Sequence, residues 1–211
     1  MDIDIKEQNE SWNKHYKRER SRLSYPDENL VRLLKEIEPG PALDIGCGSG
    51  RHLALLKDSG FDPVYGMDLS ESSIELCRSL YPEIKLEVIP EDRLEKGEFV
   101  LPFPEKSFNT VILWGVLHYN PPAIQRTILE ETARVLKKNA PLLGTLRAAG
   151  DTHFAESQDM KETEIIYYTE SEANTFLQKS FENVELGYME RSPIGKTDQR
   201  VCHWFFRAKN G

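Results

Sequence analysis

Cysteine is scarce in this chain. Cys47, Cys77 and Cys202 are the three among 211 residues, too few and too scattered for a disulfide framework or a zinc cluster. His15, His52, His153 and His203 show no metal-ligand spacing, so no metal is expected. Basic residues are outnumbered: 27 Lys and Arg stand against 35 Asp and Glu, a net charge of −8. An average surface of that sign repels a polyphosphate, which argues against a nucleic-acid partner without a local basic patch. It slightly favours a cationic ligand. No apolar run approaches the roughly 18 residues of a membrane span. The stretch Met1 to Glu10 is polar and acidic and lacks the apolar region of an export signal. Repeats and low-complexity segments are also missing. These absences predict a soluble cytoplasmic protein with reduced thiols.

What is there is a globular composition, 39% hydrophobic and 29% charged, over a length suited to one α/β domain. Leu30, Leu33, Leu34 and Ile37 fall on one helical face, with Pro26 separating them from an earlier helix. Ala42–Ile45, Val64–Asp68, Lys85–Ile89, Thr110–Trp114 and Leu142–Leu146 read as strands, with helical patterns between them. Gly60 is a natural helix end and Ser70 a natural cap. Asn120 before Pro121 reads as an N-cap, and Thr169 with Glu172 as a capping box. Five such repeats predict a doubly wound, Rossmann-like, mostly parallel sheet of seven strands with right-handed crossovers. The runs 183–189 and 201–207 have no helix between them, so they should pair as a hairpin that ends the sheet in an antiparallel strand. The whole of 1–211 is expected to be one domain: an N-terminal helical cap (1–38), a core (39–147), an insert (148–170), and a helix with the terminal hairpin (171–211).

Gly46-x-Gly48-x-Gly50 lies between the first strand and its helix, where glycine lets the backbone turn sharply and approach a ligand. The dinucleotide fingerprint wants a third glycine at the sixth position. That position is Arg51 here, which argues against a nicotinamide oxidoreductase. No Gly-Lys-Ser/Thr follows, so the loop is not a P-loop. Asp68 ends the second strand, 18 positions after Gly50, where a carboxylate can accept both hydroxyls of a ribose. A nucleotide with a ribose and no phosphate suits this loop.

The run Ala42-Leu43-Asp44-Ile45-Gly46-Cys47-Gly48-Ser49-Gly50 resembles motif I of the class I S-adenosylmethionine-dependent methyltransferases. The resemblance continues through Tyr65-Gly66-Met67-Asp68-Leu69-Ser70, Leu101-Pro102-Phe103, Ser107-Phe108-Asn109-Thr110-Val111, Val116-Leu117-His118 and Ala133-Arg134-Val135-Leu136-Lys137. It covers about residues 10 to 147. It implies S-adenosylmethionine as cofactor. Gly46, Cys47, Gly48 and Gly50 would form the loop at its methionine part, with Asp44 behind them. Asp68 would hold the ribose and Leu69 would touch the adenine. Asp92, with Glu91 as the alternative and Arg93 beside it, would meet the adenine amino group. Trp114 and His118 follow the fourth strand, where cofactor and acceptor meet in the family. The resemblance also suggests that a helix bearing Trp12 and Tyr16 folds over the cofactor. Glu95 to Val100 makes the segment before Leu101 longer than the family's pattern.

His118 is a candidate general base, because an ordinary imidazole titrates near neutrality. The alternative is a packed loop histidine, since displacement at a sulfonium-activated carbon can proceed by alignment alone. Arg147 ends the fifth strand and could pair with an anionic acceptor or with an acidic residue of the insert. His153, Tyr167 and Tyr168 are the other candidate acceptor contacts. The expected activity is methyl transfer to a small-molecule acceptor, by a monomer or homodimer. A protein or RNA acceptor is the alternative, as is a cofactor-binding protein without turnover.

Overall fold

Ala42–Ile45 (β1) is buried at every residue, as a central parallel strand covered on both faces must be. A computed structural model describes residues 5–153 and 165–211 and places β1 between Val64–Asp68 (β2) and Thr110–Leu113 (β4). The strand order is β3-β2-β1-β4-β5-β8-β7, with β3 at Lys85–Val88, β5 at Pro141–Ala148, β7 at Glu182–Arg191 and β8 at Val201–Lys209. The first five of these strands are mutually parallel, and β8 runs antiparallel between β5 and β7. The expected hairpin and reversed last strand are therefore present. A two-residue strand, Tyr167–Tyr168 (β6), adds to the seven. It pairs with Arg147 and Ala148 at the end of β5, beyond the point where β4 has stopped at Leu113.

Strand alternation sorts the side chains into two cores. Leu43, Ile45, Val111 and Leu113 face one, with Ile124, Ile128 and Leu129 of helix α6 (Pro122–Val135) and Ala173 and Leu177 of α7 (Glu170–Leu177). Ala42, Ile112, Trp114 and Leu143 face the other. Leu30 and Leu34 of α2 (Glu28–Leu34), Leu53 and Leu56 of α3 (Arg51–Asp58), and Ile74 of α4 (Glu71–Leu80) pack there. Two further helices are α1 (Ile5–Lys17) and the short α5 (Glu91–Glu95).

Local signals set several helix ends. Gly60 takes φ +85° after α3, and the N–H groups of Gly60 and Phe61 bond back to Lys57 and Leu56, closing a Schellman turn. Ser70 caps α4 and the Thr169–Glu172 box caps α7. Asn120 departs from its expected part. The residue before α6 is Pro121, without a side-chain cap, and Asn120 instead donates its Nδ2 back to the Val116 carbonyl at 2.9 Å. Its own carbonyl accepts Gln125 Nε2 at 2.8 Å, so the amide braces the turn that enters the helix.

Candidate functional site

Neighbouring β1 and β4 send their chains in opposite directions, to β2 and to β5, so a crevice opens at their carboxyl ends. The cleft there has about 620 Å³ of unfilled space, its open mouth included. Ile45, Gly46, Asp68 and Leu69 form its floor, and Gly115, Val116, Tyr119 and Asn120 rise from the end of β4. Gln8, Trp12 and Tyr16 cover it from α1, and Ile89, Leu94, Phe99 and Ile128 make an apolar end.

The glycine loop is held by its backbone. Gly46 and Cys47 donate to the Met67 carbonyl at 2.7 and 3.0 Å, and Gly48 donates to Asp68 Oδ2 at 2.8 Å. The Gly48 carbonyl accepts Ser73 Oγ at 2.6 Å and Cys77 Sγ at 3.2 Å. Two glycines are required by space as well as by conformation. At Gly46 (φ +73°) a Cβ would lie 2.4 Å from Val116 Cγ2. At Gly48 (φ +54°) it would lie 2.5 Å from the Tyr16 hydroxyl. Gly48→Ala is therefore expected to push α1 off the loop and to strain the backbone, at a combined cost of about 1–3 kcal/mol. Adding Tyr16→Phe removes the clashing hydroxyl but not the positive φ. The double variant should recover part of the loss in urea unfolding.

The α1 helix is stitched across the cleft. Gln8 Nε2 donates to the Tyr119 carbonyl at 2.6 Å, and Asn9 Nδ2 to Glu91 Oε2 at 2.5 Å. Asn13 Oδ1 accepts both Ser70 Oγ at 2.8 Å and Ser72 N–H at 3.1 Å. The Trp12 ring stands edge-on to Tyr119 at 5.2 Å and stacks with Tyr16 at 6.0 Å. Burial, then the nearby Asp68 carboxylate, pushes the Tyr16 hydroxyl well above its ordinary pKa, so it stays a neutral donor.

Of the residues expected at the cofactor, Trp12, Tyr16, Gly46, Asp68 and Leu69 meet on the cleft wall. Gly48 and Gly50 shape the loop from behind, and Gly50 (φ +82°) precedes α3. Cys47 is buried in the second core together with Cys77. Asp44 is buried with neither carboxylate oxygen hydrogen-bonded. Trp114 is buried on the face of Ile112, edge-on to His52 at 6.0 Å, and does not line the cleft. Asp92 is exposed in an ion pair with Lys96, while Arg93 lines a separate hollow with Glu87 and Glu98. Glu91, the alternative to Asp92, is the one that α1 holds.

The acceptor candidates lie off the wall. His118 is fully buried, its ring 4.4 Å from Tyr119 and 5.7 Å from His203. Arg147 pairs with Asp151 at 2.9 Å, the second of its two expected partners, and approaches the Tyr119 hydroxyl at 3.4 Å. His153 meets Gln199 at 2.8 Å. Tyr168 donates to Gln125 Oε1 at 2.5 Å, and Tyr167 is partly exposed beside Arg147. Residues 154–164 of the expected substrate insert lie outside the described residues. Sequence reasoning passed over Gln8, Tyr119 and Phe99. Gln8 was detectable, because Gln8, Trp12 and Tyr16 are spaced by four and share one helical face.

Buried titratable groups set the pH dependence. Burial pushes His52 and His203 down to about 3, and His118 well below its ordinary value. The unfolded chain then binds more protons as pH falls through 6.5, so stability is lost on the acid side. Asp44 acts oppositely. Burial first, then Asp68, raises it to about 8 from 3.8, so its contribution is full below the lower value and is lost as pH rises through the upper one. Burial raises Asp68 as well, and the three histidines outweigh these two carboxyls below about pH 6.5. Thermal melts are expected to peak near there, and Asp44→Asn should flatten the decline from about pH 6.5 to 8.

The model of the methyltransferase domain family matches residues 42–139. A demethylmenaquinone methyltransferase of Thermotoga maritima is 29% identical over 124 residues, 55% of this chain and 47% of that protein. A ribosomal protein L11 methyltransferase of Paraburkholderia xenovorans is 39% identical over 82 residues, 36% of this chain and 27% of that one. The chain thus spans less than half the length of these curated relatives. Among solved structures, a putative methyltransferase of Haloferax volcanii, in complex with the Trm112 methyltransferase activator, superposes with a TM-score of 0.72. It is 16% identical and covers 98% of this chain and 97% of that one. Residues 42–139, a little under half of the chain, are thus similar to the methyltransferase domain family, and the sheet order described above is a fold that the chain shares with solved S-adenosylmethionine-dependent methyltransferases.

Proposed function

We propose that this chain is an S-adenosylmethionine-dependent methyltransferase that acts on a small-molecule acceptor. The observation that carries the reading is the closed cap: α1 is bonded to Tyr119, Glu91, Ser70 and Ser72, on both sides of the cleft. Such a cover suits a compact acceptor and keeps water from the reacting atoms. Among the described residues no lining residue is Lys or Arg, which disfavours RNA.

The cleft fits the family's cofactor. Gly46 and Gly48 present backbone where any Cβ would collide with Val116 or Tyr16. Asp68 is the sole charged lining residue among the described residues, and it suits a ribose beneath a cationic ligand. Leu69, Ile89, Leu94 and Phe99 give adenine an apolar wall. When bound, S-adenosylmethionine supplies a methyl group already activated by its sulfonium. The chain's work is then alignment and desolvation: the glycine loop and Asp68 orient, the apolar end grips, and Trp12, Tyr16 and Tyr119 exclude water. We assign His118 no proton transfer, because it is buried off the wall and held neutral.

Among the described residues no helix is long and apolar enough to cross a membrane. All three cysteines are free and buried, which supports a reducing, cytoplasmic setting. Isothermal titration with S-adenosylmethionine and S-adenosylhomocysteine tests the site, and no detectable heat with either would overturn it. Binding without turnover across a broad acceptor screen would favour a cofactor sensor instead.

A further inference from the structure

Gln8 is a buried polar side chain that the reading above uses only for its donor. It is 2% exposed, lies on the cleft wall, and gives its Nε2 to the Tyr119 carbonyl at 2.6 Å. That bond fixes which way the amide faces. The other atom, Oε1, is buried with no hydrogen-bond partner among the described residues. Buried acceptors are satisfied in stable proteins, so an orphaned one on a cleft wall calls for an N–H or O–H from a ligand. The same end of the cleft carries the Trp12 ring edge-on to Tyr119 at 5.2 Å, with Tyr16 stacked on Trp12. Among the described residues it has no lining cation, and Arg147 is engaged by Asp151 at 2.9 Å. A carboxylate or phosphate would find no partner there. A nitrogen that gains positive charge would find aromatic rings and an amide oxygen.

We infer that the methyl acceptor is a small primary or secondary amine, with one N–H received by Gln8 Oε1 and the nitrogen against the rings of Trp12 and Tyr119. The inference rests on the methyl-transfer reading of this cleft and deepens it. The amine reacts as its neutral form. Its lone pair makes the new N–C bond to the methyl carbon as the C–S bond breaks. The electron pair of that bond stays on sulfur, leaving a neutral thioether. The nitrogen becomes cationic, stays hydrogen-bonded through its N–H, and later releases a proton to water.

The test starts from the full chain and S-adenosylhomocysteine. Calorimetry with that ligand separates the two readings, because loss of its binding would remove the cofactor site itself. With binding present, S-adenosylmethionine is supplied together with benzylamine, 2-phenylethylamine or tryptamine, each beside its matched alcohol and carboxylate, and S-adenosylhomocysteine formation is read. At least one amine is expected to turn over about tenfold or more faster than its oxygen counterparts. Gln8→Leu should raise the KM for that amine about tenfold or more, a larger factor than the rise in the Kd of S-adenosylhomocysteine that follows from the lost bond to Tyr119, and the S-adenosylhomocysteine binding that remains shows that the variant is folded. Preferred turnover of a carboxylate, no amine turnover despite cofactor binding, or a Gln8→Leu defect confined to S-adenosylhomocysteine affinity would each overturn the inference.

Discussion

Asp68→Ala is expected to weaken S-adenosylhomocysteine binding by about 100-fold or more, since each hydrogen bond to a charged group is worth about 1.5–3 kcal/mol. The carboxylate has two structural duties before any ligand arrives. Oδ2 accepts the Gly48 N–H and Oδ1 accepts the Ser70 N–H, both at 2.8 Å. The first bond holds the glycine loop and the second holds the entry to α4. Asp68 is also the charged group of the cleft wall, with lone pairs left for the ribose hydroxyls we place there. Removing it loosens the loop and deletes the ribose contact together. Asp68→Asn keeps one acceptor oxygen and should lose less. Circular dichroism verifies folding, and isothermal titration reads the affinity. An unchanged Kd for the alanine variant would mean that the ribose binds elsewhere.

Asp151→Ala is expected to cost about 3–5 kcal/mol of folding stability, the typical penalty for stranding one member of a buried ion pair. The Arg147 and Asp151 side chains are 5% and 0% exposed and meet at 2.9 Å. The same Asp151 oxygen accepts the Cys202 N–H at 2.8 Å, so one carboxylate ties the end of β5 to β8. Its loss leaves a guanidinium in a dry interior and a strand N–H without its acceptor. Urea unfolding measures the change. A loss below about 1 kcal/mol would show that water or another carboxylate reaches Arg147. Replacing both residues, Arg147→Met with Asp151→Leu, should recover much of the loss, because the apolar pair carries no desolvation penalty.

The fold was legible where the information is local. The uninterrupted apolar run of β4, the Thr169–Glu172 box and the helix end at Gly60 each lie within a few residues of the structure they specify. The absence of a helix between β7 and β8 dictated their hairpin for the same reason. Asn120 shows the limit. It has the composition of an N-cap, yet its amide bonds back to Val116, because the turn that leaves β4 bends the chain first. Trp114 shows another limit. A strand gives successive side chains opposite faces, and Trp114 shares the parity of Ile112, so its indole goes to the far core rather than to the cleft. Asp92 and Glu91 are adjacent and alike in composition, and only the approach of Asn9 from α1 distinguishes them.

The sequence by itself determined the glycine loop, the aspartate at the end of β2, the mostly parallel sheet with its reversed strand, and so the nucleotide class that the crevice suits. Each follows from steric and hydrogen-bonding constraints between near neighbours in the chain. Tertiary structure alone decided which side chains line the cleft. Tyr119 and Phe99 come from separate loops, Gln8 from a helix more than a hundred residues distant from Tyr119, and His118 is turned inward. The cleft is assembled across the sheet, and burial from several directions at once is a property of packing that no local pattern carries.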